Sequence, residues 1–201
     1  MATASWLKIQ PTTGSGNATV NVTANTSNTG RNSRQVTLVW KAANVTNVER
    51  TVIQSGKSNF VDINDTATSK QEGQVVTIKG MSNSARLTFS LGTGDLLVDV
   101  PTTYIANSVS TNNGSAISGD PGATAEYEFS VSITVEKNDG ITTKTRQIIV
   151  TNEIGQTDTC TLTLAAGSPY VTVDIGNIEL GWEAGSSKSV GVQSNTTWEI
   201  V

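Results

Sequence analysis

The stretch AGSSKSVGVQSNTTW, residues Ala184 to Trp198, decides the fold because the chain carries a second copy of it. The other copy, Glu72 to Arg86, reads EGQVVTIKGMSNSAR. Each copy has a glycine near its start, Gly73 or Gly185, then an alternating Val/Ile run, then a Ser-Asn pair. The spacing from the glycine to the Asn is the same in both copies. The chain is therefore built from a repeated unit whose length is the separation of Gly73 from Gly185.

Shorter matches extend the repeat in both directions. They pair residues 33–36 with 145–148, 51–56 with 162–167, and 60–63 with 170–173. The matches divide the chain into three parts. Residues 1–57 are the back part of a unit, residues 58–168 are a complete unit, and residues 169–201 are the front part of another.

The composition favours β structure. Aromatic residues make up 5% and charged residues 15% of the chain. Thr and Val, which suit a half-buried pleated strand, are abundant, and so are Asn and Gly, which suit turns. Residues 18–24 and 127–135 alternate with period two, and no segment has a helical period. We expect an all-β protein with small cores.

Several function classes are disfavoured. A net charge of −4 without a basic cluster argues against nucleic acid as a partner. No apolar run reaches the length of a membrane span, about 18 residues, and the start MATASWLKIQ lacks the features of a signal peptide. The chain has no His, which excludes Ser-His-Asp and Cys-His catalysis and His-ligated metals. We expect no cofactor, no metal and no enzymatic activity.

The other reactive groups are expected to be structural. Cys160 alternates with Leu162 and Leu164, which predicts a buried free thiol. Glu126 and Glu128 alternate with two aromatic residues, which predicts the solvent face of a strand rather than an acid/base pair.

The complete unit contains an insertion, residues 92–124, that the first part lacks. It is rich in Gly, Ser, Asn and Asp, and residues 96–100 and 102–105 could pair as a hairpin around Pro101. Binding loops are often built in such insertions, so a recognition surface that includes Tyr104 is one interpretation. The other interpretation is a loop without a binding role.

The four Trp residues are the plausible sugar platforms. Trp6 and Trp198 occupy equivalent positions in the repeat and are expected to pack against a sheet. Trp40 and Trp182 are the better exposed aromatics, and we assign them, with Tyr104, to a glycan-binding surface.

The repeated residues resemble the BACON domain, an immunoglobulin-like module of bacteria and their phages. The resemblance rests on short motifs: Ser194, Asn195 and Trp198; Trp6 to Ile9; Arg34 and Gln35; Val52 to Gln54 with Gly56. The middle unit departs from the pattern at Arg86, where a Trp is expected, and at residues 165–166.

The resemblance implies tandem immunoglobulin-like β-sandwiches without catalytic machinery, one complete and partial units at both ends. It implies either a spacer role or attachment to carbohydrate or mucin. Since no export signal is seen, we expect a phage virion decoration or fibre protein assembled in the host cytoplasm. The alternative is the carbohydrate-binding module of a secreted or cell-surface bacterial glycan-utilisation protein.

Half a sandwich exposes apolar surface and unpaired strand edges, so the partial units need partners. The chain could continue in a longer protein or assembly, its two ends could complete one another, or one subunit could complete the next. We expect the first, with other subunits or virion proteins as partners through strand completion. Ser194, Asn195 and Trp198 would then belong to a joining strand.

Overall fold

The computed structural model describes residues 4–201. The first three residues of the predicted N-terminal part lie outside the described residues. They are also the first three residues of MATASWLKIQ, the stretch that lacks the features of a signal peptide. The described part consists of β-strands and a single 3₁₀ turn, Pro121–Ala123. The strands are β1 Leu7–Gln10, β2 Asn21–Ala24, β3 Arg34–Trp40, β4 Val48–Gln54, β5 Val61–Ile63, β6 Thr66–Ser69, β7 Gln74–Ser82, β8 Leu87–Gly94, β9 Thr103–Ala106, β10 Val109–Asn112, β11 Tyr127–Val135, β12 Lys144–Asn152, β13 Thr157–Leu164, β14 Val171–Val173 and β15 Val192–Ser194. The prediction of an all-β protein is confirmed. Across residues 4–201, no helix has the length and apolar character that a membrane crossing needs.

Strands β5 to β13 form two sheets around a common core, as in a β-sandwich. One sheet has the order β10-β9-β11-β7-β5 and the other the order β6-β13-β12-β8. Neighbouring strands run antiparallel, except that β6 runs parallel to β13. The longest ladder joins β7 to β11 over nine residue pairs, from Tyr127 opposite Ser82 to Val135 opposite Gln74.

Strand β11 supplies one side of the core because its residues alternate between apolar and polar with period two. The side chains of Tyr127, Phe129, Val131, Ile133 and Val135 are 1–4% exposed, and the residues between them point away. Buried side chains of the opposite sheet complete the core, among them Phe89, Ile148, Val150, Cys160 and Leu162. Each large apolar side chain buried in this way contributes about 1.5–3 kcal/mol.

Residues 4–57 form two strand pairs, β1 with β2 and β3 with β4, both antiparallel. Their core is small: Trp6, Leu7 and Leu38 are 8–9% exposed, with four partly buried neighbours. The pairing differs from that of the middle unit. There β8, the counterpart of β1 in the repeat, pairs with β12. Here β1 pairs with β2 instead.

Residues 169–201 contain one short antiparallel pair, β14 with β15. Much of the apolar surface in this segment is exposed. The exposed large side chains are Tyr170, Val171, Val173, Ile178, Leu180, Trp182, Trp198, Ile200 and Val201.

The insertion is folded into the middle unit, and its hairpin is not the predicted one. Residues 96–100 form no strand. Instead β9 pairs with β10 through a turn at Asn107 and Ser108, both of which have positive φ. β9 also pairs with β11 and so extends the larger sheet. Leu96 and Ile117 are 3–4% exposed and belong to the main core.

Candidate assembly and ligand surfaces

The connection between the N-terminal part and the middle unit is held by one buried amide. We call this region the first junction: residues 28–32, 56–60 and 82–84. Asn83 is 0% exposed. Its Nδ2 donates to the carbonyl oxygens of Thr29 (3.3 Å), Lys57 (3.3 Å) and Ser58 (3.1 Å), and its Oδ1 accepts from the N–H of Phe60 (3.0 Å). One side chain therefore binds the preceding unit, the linker and its own unit.

The same contacts recur in the second copy of the repeat, at a second junction formed by residues 138–142, 167–170 and 194–196. Asn195 Nδ2 donates to the carbonyl oxygens of Asp139 and Ser168, both at 3.0 Å. Its Oδ1 accepts from the N–H of Tyr170 at 3.0 Å. The Ser-Asn pair thus makes equivalent hydrogen bonds in both copies.

The serine of each pair also behaves identically. Its hydroxyl donates to the carbonyl at the start of the unit and accepts from the N–H two residues further on. The distances are Ser82 Oγ to Phe60 O 2.7 Å and to Ser84 N 3.0 Å, and Ser194 Oγ to Tyr170 O 2.8 Å and to Thr196 N 3.1 Å.

The other side of each junction is an Asn-x-Gly loop, Asn28 to Gly30 in the first and Asn138 to Gly140 in the second. The Nδ2 atoms of Asn28 and Asn138 each donate to the carbonyl oxygen four residues later, both at 2.8 Å. The carbonyl oxygens of Gly30 and Gly140 each accept an N–H from the following linker, at 2.8 and 2.7 Å. These contacts align Asn28 with Asn138. This alignment differs by two positions from the sequence match that pairs residues 33–36 with 145–148.

An arginine adds an ion-pair network to the first junction. The guanidinium of Arg31 donates to Asp120 Oδ2 and to the carbonyl oxygen of Asn83, both at 2.6 Å, and its Nε lies 3.6 Å from Glu153 Oε1. The hydrogen bond with Asp120 raises the pKa of Arg31 above its usual value. In the second Asn-x-Gly loop the place of Arg31 is taken by Ile141, so the second junction has no counterpart of this network.

The end of the insertion forms part of the first junction. The N–H groups of Arg31 and Asn32 donate to the carbonyl oxygens of Gly122 and Ala123, both at 2.9 Å. A Cβ at Gly122 would overlap a backbone carbonyl of the junction, so this close approach requires glycine. Residues 120–124 therefore connect the insertion to the N-terminal part.

Tyr104 does not lie on a ligand surface, which corrects its assignment to glycan binding. Its side chain is 2% exposed, and its ring packs at a tilt against Phe89 with centroids 5.3 Å apart. The hydroxyl accepts a hydrogen bond from the N–H of Leu87 at 3.2 Å, and burial raises the pKa of the phenol. The ring has no face open to a sugar.

Trp40 and Trp182 are both exposed, in different settings. Trp40 is 41% exposed and lies on the same face of β3 as Leu38 in the N-terminal core. Trp40 therefore lies at the exposed end of the face of β3 that packs on the N-terminal core. Trp182 is 94% exposed and lies between β14 and β15, so nearly its whole side chain is available.

The three residues assigned to the predicted joining strand lie in different settings. Ser194 ends β15 and Asn195 follows it, so both belong to the second junction. Trp198 is 51% exposed, whereas Trp6, its counterpart in the repeat, is 9% exposed beneath the Arg34 guanidinium at 5.0 Å. The Trp side chain is thus covered in one partial unit and uncovered in the other.

The remaining reactive groups have structural positions. Cys160 is 0% exposed, as predicted, and burial raises the pKa of its thiol to about 11. Glu126 forms an ion pair with Lys57 at 2.8 Å and Glu128 is exposed, while the intervening Tyr127 is buried. In the part of the chain from residue 4 onward, His, Cys, Asp and Glu side chains do not form groups of three that could hold a metal ion.

Comparison with known proteins does not identify the chain: no protein-family model matches it, and no curated protein matches it.

Proposed function

We propose that the chain is a tandem array of immunoglobulin-like units in a non-enzymatic structural protein. The strand order of the middle unit supports this. The neighbours β9-β11-β7-β5 and β13-β12-β8 correspond to the four-stranded and three-stranded sheets of a constant-type immunoglobulin domain. The parallel strand β6 and the insertion strand β10 extend these two sheets at their edges.

The observation that carries the proposal is the recurring junction. The same Ser-Asn hydrogen bonds, the same Asn-x-Gly loop and the same pairing of Val61 with Ser82 and of Val171 with Ser194 occur at two places in the chain. A fixed set of contacts at each linker suits a protein whose role is to hold units in line. The parts 1–57, 58–168 and 169–201 are then successive units.

The role we propose is that of a phage virion surface protein, as a capsid decoration or fibre component, with glycan or mucin adhesion as its use. The BACON-like motifs support this role. Trp182 is the residue best placed for adhesion, because an exposed aromatic ring offers a flat apolar face to a sugar. Trp40 is also exposed, but it lies on the same face of β3 as Leu38 of the small N-terminal core.

A mucin-glycan array tests adhesion. We expect the chain to bind, Trp182→Ala to bind at least tenfold more weakly, and Trp182→Phe, which keeps a flat ring, to retain most binding. Trp40→Ala should have the smaller effect. Failure of the unmodified chain to bind any glycan would contradict adhesion and leave the structural role alone.

A separate measurement tests the location. Mass spectrometry of purified phage particles should detect the chain as a stoichiometric component. Its absence from particles, together with an export leader encoded upstream of Met1, would favour the alternative. In that case the chain would be a carbohydrate-binding module of a secreted bacterial glycan-utilisation protein.

A further inference from the structure

Residues 4–57 have open strand edges at places where the corresponding strands of the middle unit have a neighbouring strand. β2 and β4 each belong to a two-stranded sheet, so each has one edge without a partner among the described residues. In the middle unit the strands at the corresponding places in the repeat, β11 and β13, are covered by β7 and β6. The apolar side chains left exposed in the N-terminal part are Val22, Trp40, Val45, Val48 and Ile53.

Residues 169–201 reproduce the part of the middle unit that does the covering. The β14–β15 pair has the register of the β5–β7 pair. The next hydrogen bond along the ladder also recurs: Asp174 N donates to Gly191 O at 3.1 Å, as Asn64 N donates to Lys79 O at 2.9 Å. The second edge of β15 is unpaired in the two-stranded sheet. Residues 186–194 therefore correspond to β7. Among the described residues, no strand lies beside them in the position that β11 has beside β7.

The two junctions lie at opposite ends of the middle unit. The first is at the Ser82 end of the β7–β11 ladder, and the second follows Val135 at its other end. A ladder of nine residues is about 27 Å long at roughly 3.3 Å per residue. Residues 4–57 and 169–201 of one chain are thus directed away from each other, which opposes completion within a single chain.

We propose that residues 169–201 of one copy of this chain complete residues 4–57 of a second copy. The stretch ending in β15 adds to the open edge of β2, so that one immunoglobulin-like unit is shared between two subunits. The proposal rests on the array of immunoglobulin-like units proposed above. Because donor and acceptor are different surfaces at opposite ends, the contact is heterologous. It builds a linear filament, or a ring where the successive rotations close, rather than an isologous dimer.

Two side chains can block the contact from either side. Val190 is half-buried and occupies the place in the repeat of Ile78, which is 1% exposed in the core of the middle unit. It would enter the shared core from the donor. Trp40, on the core face of β3, would meet it from the acceptor. A carboxylate at either position would be buried without a partner, which is strongly unfavourable.

Light scattering on the full chain is the first test. We expect a mass that rises with concentration above the 21.0 kDa of one chain. A constant monomer mass at a concentration of about 100 µM would overturn the proposal, whether the open edges are free or covered within one chain.

Blocking variants are the second test. Val190→Asp and Trp40→Asp should each be monomeric, and an equimolar mixture should give a dimer and nothing longer, because one intact donor and one intact acceptor remain. Val75→Asp, at a 62% exposed position of β7, is the matched control and should assemble like the unmodified chain. Circular dichroism should show the middle unit folded in every variant.

The outcome separates this proposal from the function it rests on. If the chain assembles and Val190→Asp assembles equally well, the donor assignment is wrong. The array and its glycan binding are measured independently on the glycan array, and neither requires assembly.

Discussion

At the scale of single residues, Asn83 has the greatest effect on how the units are joined. Its amide is fully buried, and each of its polar atoms has a backbone partner from the linker or the adjoining units. Ala at this position would leave several partly buried backbone groups without this hydrogen-bond partner. Asn195 makes the equivalent bonds in a partly exposed setting, where water can replace them.

We therefore predict that Asn83→Ala lowers the free energy of unfolding by about 2–4 kcal/mol, since each unsatisfied buried polar group costs about 1–3 kcal/mol. Asn195→Ala, the matched control, should cost less than about 1 kcal/mol because its groups remain accessible to water. Urea unfolding followed by fluorescence measures both. Equal effects of the two substitutions would contradict the role given to burial at the first junction.

Sequence reasoning located the Ser-Asn pair and the buried thiol of Cys160 but misplaced Tyr104. The first two follow from local alternation and from a repeat that can be seen in one dimension. The position of Tyr104 depends on β9 adding to β11, more than twenty residues later in the chain. No local pattern indicates which sheet an inserted strand joins.

At the scale of elements, the insertion is a connector between units. Its strands β9 and β10 both belong to the larger sheet, and its 3₁₀ turn contacts the N-terminal part through Arg31. The sequence showed that the insertion exists and that it contains turns. It did not show this contact, because Arg31 and Asp120 are 89 residues apart and nothing in their surroundings marks them as partners.

We predict an energetic coupling of about 1 kcal/mol between Arg31 and Asp120, as expected for a partly buried ion pair with good geometry. A double-mutant cycle with Arg31→Met and Asp120→Asn, measured by urea unfolding, gives the value. The coupling should shrink at a salt concentration of about 1 M. The same cycle on Lys137 and Asp139, an ion pair that is 57% and 74% exposed, is the control and should give a smaller value. Strict additivity at Arg31 and Asp120 would refute the network.

At the scale of the whole molecule, the three parts differ in how much core they have. Nineteen buried residues form the main core of the middle unit, against three in the N-terminal part. The C-terminal pair β14–β15 has few buried apolar side chains. Elements with little buried apolar surface open at lower free energy than the main core.

Hydrogen exchange should show this difference. We predict that amides of β7, β11, β12 and β13 exchange at least a hundredfold more slowly than those of β1 to β4, β14 and β15 in a dilute sample. If chains assemble as proposed, raising the concentration should increase protection in β2 and β15 selectively. Uniform protection along a dilute monomer would show that the partial units are as stable as the complete one.

The repeats in the sequence predict a division of the chain into three parts. The pairing of β1 with β2 could not be predicted. The middle unit pairs β8, the counterpart of β1, with β12. The partner of a strand depends on tertiary packing, which the four residues of β1 do not specify.

The parallel alignment of β6 and β13 has a mechanical consequence. β6 lies near the start of the middle unit and β13 near its end, and Thr66 to Ser69 run alongside Thr161 to Leu164 in the same direction. Tension applied through the two neighbouring units would pull these strands lengthwise past each other. The hydrogen bonds between them, evenly spaced in a parallel ladder, would then bear the load together instead of breaking one after another. If the three parts form the array proposed above, the middle unit is arranged to resist stretching along its axis.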